Sequence, residues 1–471
     1  MAAADRTPNR RLAHYEARSG FSHAELARAV TRRAKAAGEA HICPDGSRVR
    51  RWLEGERPRD PVPQLLAEVF TERLGVPVSP ADLGFPQTGT RGPGEEINFP
   101  WLLTRTASAL TRQTKGDLML DRRAFQDDEA PSELAAGPEL LAAVQPWASA
   151  VPEPLPNLAE HGHGHGHGRI GMSDVAQIEQ VTTVFRNWDN LYGGGLTREA
   201  IVGQLKGAAA LLDGPCTEQT GRALFRAVAD LSSVAGWTSF DAGLHKTAQR
   251  YFVLGLHAAK EAGDKALGAH LLNCMSRQMG HLKHPADALE LVQLAQYGAR
   301  NDATATTRAM LHALEARYLA VTGQLREFDR AAGLAEDSYA HADPGTDPDW
   351  VQFFDASEFY ATIGICHQIA AASRPGNADT AAAMISRAIS SRPAGRVRSR
   401  AFDHIGLART RLIQGEYDGA ATAADTALGL LGELSSSRVT DRLRELLTDT
   451  EPHAGNRAIQ SLRDRLTAAL T

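Results

Sequence analysis

Four histidines alternate with glycines at His161, His163, His165 and His167. In an extended chain residues two apart point the same way, so these imidazoles would stand in a row about 7 Å apart and offer neutral nitrogen to zinc, nickel or copper. A built metal site needs ligands converging at about 2.0 to 2.1 Å, with partners that fix each ring, and alternate glycines raise the entropic cost of ordering it. The expected reading is a flexible linker with incidental metal affinity, with no resident metal or other cofactor. A second group is cationic. In SRVRRWLEG, Val49, Trp52 and Leu53 are spaced i, i+3, i+4 and share one helix face, which at about 100° per residue puts Ser47, Arg50 and Arg51 opposite and Arg48 on the flank. Guanidinium forks match phosphate oxygens and the O6/N7 edge of guanine, and a helix fits the major groove. Ser47, Arg48, Arg50 and Arg51 are therefore the expected contacts to double-stranded DNA.

Catalytic chemistry finds no foothold. The chain has no Gly-rich phosphate loop, HExxH, GxSxG or paired Cys motif, so it is expected not to be an enzyme and to have no catalytic residues. Gly193 to Gly195 before Thr197 lack a preceding strand, a P-loop lysine and an acidic partner, and read as a helix–helix turn. His245, His270, His281 and His284 fall on helical patterns where packing or solvent explains them.

The elements that must carry these residues are helical. Of 471 residues 43% are hydrophobic, 23% charged and 6% aromatic, and Ala, Leu, Arg and Glu outweigh the β-branched residues. A chain of this length is expected to form two or three domains. Cys43, Cys216, Cys274 and Cys366 show no metal or redox spacing, the N-terminus has no apolar run of signal-peptide type, and no stretch reaches the roughly 18 apolar residues of a membrane span. A cytoplasmic protein with reduced thiols is expected. The formal charge of -5 hides an asymmetry: residues 1–60 carry 13 Lys and Arg against 8 Asp and Glu, net +5, leaving -10 for the remainder. A basic head on an acidic body suits an anionic partner bound at the head alone.

That head reads as about four helices. PNRRLAHYEARSG stops near Gly20; Ser22 and Glu25 form a capping-box pattern that opens the next helix, with Leu26, Ala29 and Val30 at helical spacing; SRVRRWLEGERP ends at Gly55 and Pro58; PQLLAEVFTERLG supplies the fourth. SHAELARAV, RVRRWLEGERP and LLAEVFTERLGV together resemble the helix-turn-helix of the XRE, or lambda-repressor-like, family over about residues 9–85. The resemblance implies a DNA-binding domain over residues 1–88 that reads two half-sites as a dimer. The chain departs from the family in KAAGEAHICPDG, a connection well beyond the roughly three- to four-residue turn usual there.

Residues 89–170 alternate loop signals with one helical pattern from Trp101 and read as a linker with a docked helix, ending in the His/Gly segment. From residue 171 to 471, Ala- and Leu-rich amphipathic segments repeat. The anchors Ala248/Phe252/Gly255, Ala288/Val292/Ala295, Phe328/Ala332/Ala335, Ala381/Ile385/Ala388 and Ala420/Ala424/Ala427 follow at intervals of 40, 40, 53 and 39 residues, and AHADPGTDPDW accounts for the long one. Two helices per period of about 40 mean a helical solenoid. GWTSFDAGLHKTAQRYFVLG and QGEYDGAATAADTAL resemble tetratricopeptide (TPR) repeats, and FRNWDNLYGGGLTREAIVGQLKGAAALL with the segment after it resembles XRE-TPR regulators common in filamentous actinobacteria, a group implicated in development and secondary metabolism.

The expected fold is all-α: an N-terminal helix-turn-helix bundle, a flexible linker and a C-terminal TPR-like α-solenoid. The expected function is transcription regulation, with the solenoid mediating homodimerisation and sensing a peptide, small ligand or protein in its groove, and with no membrane association. The terminal segment Ser461 to Leu470, with no repeat after it, is the expected dimer contact. The alternative is a TPR adaptor whose helix-turn-helix serves protein interaction.

Overall fold

Each of the first three helices of the head begins where a side chain can satisfy its free N–H groups. Asn9 accepts from the Leu12 N–H at 3.0 Å to start α1 (Arg10–Ser19). At α2 (His23–Ala36) the Glu25 carboxylate takes the Ser22 N–H at 2.8 Å while the Ser22 hydroxyl accepts from the Glu25 N–H at 3.4 Å, which is the capping box in both directions. Asp45 accepts from the Arg48 N–H at 2.7 Å and opens α3 (Gly46–Leu53), and α4 (Val62–Leu74) follows. Leu12, Leu26, Val30, Val49, Trp52, Leu66, Phe70 and Leu83 interlock in one buried core.

A computed structural model describes residues 8–36, 39, 41–56, 58–59, 61–74, 78, 80, 82–85, 97–119, 134–155, 169–192, 197–430 and 436–470. Among the described residues every regular element is helical and none is a strand, and no helix is long and apolar enough to cross a membrane. The chain divides into two compact units, Met1–Gly92 and Pro93–Thr471.

The second unit begins with α5 (Leu103–Met119), α6 (Gly137–Val144), the one-turn α7 (Pro146–Ser149), α8 (Met172–Tyr192) and α9 (Arg198–Leu211). Paired helices follow: α10 (Glu218–Asp241) with α11 (His245–Ala262), α12 (Lys265–His281) with α13 (Pro285–Gly298), α14 (Ala305–Val321) with α15 (Leu325–Tyr339), α16 (Ala356–Ala370) with α17 (Asn377–Ser391), α18 (Val397–Gln414) with α19 (Tyr417–Gly429), and α20 (Ser437–Asp449) with α21 (Arg457–Leu470). The first helix of each pair also packs on the first helix of the next. All five expected anchor triplets lie on second helices and are buried. Small residues there admit close approach: a Cβ on Gly236 would come within 2.5 Å of the Phe252 ring.

Several pieces of the span 89–170 are docked. Ile97, Leu110, Leu134, Leu140, Val144 and Trp147 are all in the core of the second unit. Trp147 is 0% exposed. Its ring faces Gly268 of α12 and Gly298 of α13, where added Cβ atoms would fall 2.4 and 2.2 Å away, and Lys265 donates to the Trp147 and Ala150 carbonyls at 2.6 and 3.0 Å. On α5, Asp117 accepts two bonds from Arg198 at 2.6 Å and one from the Tyr251 hydroxyl at 2.5 Å.

The terminal helix is built into the core of the last pairs. Ile459, Leu462 and Leu466 of α21 are each 0% exposed and pack with Ala420, Ala424, Leu443 and Leu446. Its apolar face is packed within the chain, on α20 and α19.

Candidate functional site

On α3 the division of faces follows the sequence pattern. Val49 is 0% and Trp52 3% exposed, anchoring the helix in the core, while Ser47, Arg48, Arg50 and Arg51 are all exposed. The structure thus brings the four onto one short helix, on its outward side. Arg50 Nε donates to Glu54 Oε1 at 2.8 Å, both side chains more than half exposed, and Arg51 Nε lies 3.9 Å from Glu56. Exposed pairs of this kind are worth about 0 to 1 kcal/mol, so an incoming phosphate can displace the glutamates. Gly46 lies close to the start of α2: a Cβ on it would stand 3.6 Å from the Ala24 backbone nitrogen. The start of α3 thus stands against the first turn of α2, where a tight turn between the two helices would place it at the last.

His161, His163, His165 and His167, and Gly193 to Gly195, lie outside the described residues. Among the described residues no group of three His, Cys, Asp or Glu side chains is placed to hold a metal. The histidines singled out on helices take up ordinary packing. His270 stacks on Trp350 with ring centroids 5.0 Å apart, and burial holds it down to about 3. His245 and His281 sit 6.0 Å apart beside Phe240, and His281 is held at about 4, by burial first and then by Arg442 and Arg438. His284 approaches Asp287 at 3.7 Å. Cys274 and Cys366 are buried thiols, each pushed up to about 12 by burial.

A second constellation was not legible from spacing. Arg398 reaches Asp189 at 2.8 Å and Asp241 at 3.0 Å, Arg438 reaches Asp241 at 2.7 Å, and Ser436 donates to Asp241 at 2.8 Å. Burial alone would raise Asp241, but Arg438 and Arg398 hold it well below the usual carboxylate range. These contacts tie α18 and the start of α20 back to α8 and α10. His281 with Asp441 at 3.3 Å, and Lys283 with Glu445, add two ties between the end of α12 and α20. The array of pairs thus curls until its last members meet its first, and leaves an open-sided cavity of about 680 Å³ between them. The only sequence signal was the presence of charged residues in otherwise apolar helices.

Against known proteins, the family model for the SP15 N-terminal domain matches residues 12–86, a span inside the first unit. No curated protein and no solved structure matches the chain.

Proposed function

We propose that this chain is a DNA-binding transcriptional regulator of the XRE type, in which a helix-turn-helix head reads DNA and a TPR-like solenoid mediates homodimerisation and senses a ligand. The observation that carries the reading is the outward set of Ser47, Arg48, Arg50 and Arg51 on a helix whose opposite side is locked into the core by Val49 and Trp52. The basic head on an acidic body supports it, since only the head would be drawn to phosphate. Helix pairs whose first members pack on one another, with the spaced anchors buried on the second members, support the TPR-like reading. The resemblance stated from sequence extends the proposal to control of development or secondary metabolism.

The test is retardation of duplex DNA by the full chain across a salt series. Affinity should fall steeply with salt, by about 0.9 log units per log unit of salt for each phosphate engaged. Alanine at both Arg50 and Arg51 should cost about 2 to 6 kcal/mol, at about 1 to 3 per good contact, with folding unchanged by circular dichroism. Unchanged retardation by the double variant would place the DNA surface elsewhere, and absence of salt-dependent retardation would favour the adaptor reading. Light scattering of the full chain tests the dimer.

A further inference from the structure

The open-sided cavity lined mainly by the first helices of the pairs has a wall that is partly apolar, with Phe240, Leu314, Val321, Ile365 and Phe402. At about 680 Å³ it falls within the range of sites that surround a small organic molecule. The remaining wall is charged, and its carboxylates are all engaged. Glu445 is shared by Lys283, Arg409 and Arg442, and Arg409 also holds Asp449 at 2.5 Å. Glu358 and Asp403 are both bound by Arg392, at 2.9 and 2.5 Å. Arg438 is committed to Asp241.

Two arginines on the same wall differ. Arg277, from α12, and Arg317, from α14, face this space without an ion-pair partner among the described residues. The Nε and Nη2 atoms of Arg277 are shielded from solvent and have no acceptor. Burial, with the neighbouring guanidiniums of Arg442 and Arg277, pulls Arg317 below its ordinary value. A guanidinium does not shed its proton in a protein, and a charge taken out of water without a partner is costly. Such a pair is stable only at the expense of the ligand-free fold, and an anion placed between them would relieve both.

We propose that this cavity binds a small organic anion, a carboxylate or a phosphate ester on an apolar body, whose charged head is clamped by Arg277 and Arg317. Planar forks suit either head group, since each can accept two parallel N–H bonds, and the apolar wall takes the body. The clamp joins the first helices of consecutive pairs, so an occupied site favours one spacing of the array over another. This deepens the sensing role proposed above, while the site itself does not depend on DNA binding.

The experiment is calorimetric titration of the full chain, without DNA, with octyl phosphate, octanoate and the neutral octanamide. At least one anion should bind about tenfold or more tightly than octanamide, with phosphate alone or carboxylate alone identifying the head group. Arg277→Gln and Arg317→Gln should each weaken that anion about tenfold or more, and Arg277→Lys should restore part of the loss. Because Arg277 is uncompensated, Arg277→Gln should also raise the melting temperature of the ligand-free protein, which a structural arginine would not do. Equal binding of octanamide, no anion binding up to about 1 mM, anion affinity unchanged in the glutamine variants, or a lowered melting temperature for Arg277→Gln would each overturn the proposal. DNA retardation by the same preparations is scored separately: anion binding without retardation removes the regulator reading and leaves the site, and the reverse removes only the site.

Discussion

Trp147 offers a quantitative test of how the segment before the repeats is built into the array. Its indole is 0% exposed and lies against two glycines on consecutive helices. A Cβ at Gly268 would stand 2.4 Å from Nε1, 2.5 Å from Cε2 and 2.6 Å from Cζ2, and one at Gly298 would stand 2.2 Å from Cζ3. Ordinary carbon contacts need about 3.5 to 4.0 Å, so a methyl at either place requires more than about 1 Å of movement from a ring with no open side. Gly268 lies within α12, where alanine alone should gain about 1 kcal/mol of helix propensity, while overpacking costs about 1 to 3 kcal/mol or more. Gly268→Ala is therefore expected to destabilise by up to about 2 kcal/mol. Trp147→Ala should cost about 3 to 5 kcal/mol. In that background the obstacle is gone, and Gly268→Ala should stabilise by about 1 kcal/mol, a reversal of sign and a coupling of about 1 to 3 kcal/mol. Urea unfolding of the four proteins followed by far-ultraviolet circular dichroism measures the cycle. If Gly268→Ala stabilises the parent, or has the same effect with and without Trp147, the packing argument is wrong.

Further outcomes are expected. Burial holds His257 and His270 at about 3 and His281 at about 4, against about 6.5 unfolded. Below that value the unfolded chain takes up protons that the native one refuses, so this stability is present at pH 8 and lost as pH falls, about 2 kcal/mol per imidazole by pH 5. Asp403, pushed up to about 7 by burial against the pull of Arg392, acts in the opposite sense, and the net should be a loss of about 3 kcal/mol between pH 8 and pH 5; equal urea midpoints at the two would contradict it. Asp241→Asn leaves Arg398 and Arg438 buried with one charge fewer between them and should cost about 3 to 5 kcal/mol in urea unfolding, a result within about 0.5 kcal/mol of the parent refuting the clasp. Serine in place of His161, His163, His165 and His167 should leave both unfolding and DNA retardation unaltered with or without zinc, and a zinc-dependent retardation lost in the serine variant would restore a metal role.

What the chain discloses on its own is whatever repeats within a turn or two of helix. Ser22 with Glu25, the i, i+3, i+4 set of Val49, Trp52 and Leu53, and the anchors from Ala248 to Ala427 all depend on a 3.6-residue period that any helix must satisfy. Their capping and burial follow from local chemistry. The outward direction of Arg50 and Arg51 follows in the same way, as the complement of a buried face. The tertiary structure decided the rest, through contacts between residues far apart in the chain. Nothing near Trp147 announces that Gly268 and Gly298 will make room for it. Nothing near Arg398 announces that Asp189 and Asp241, 209 and 157 residues away, will neutralise it. A terminal helix with an apolar face looks unfinished until the neighbours that cover Ile459, Leu462 and Leu466 are in place. The cavity with Arg277 and Arg317 on its wall exists only because the array closes. Closure depends on the small angle accumulated from pair to pair, which is set by side-chain volumes across every interface at once, and no local pattern carries that sum.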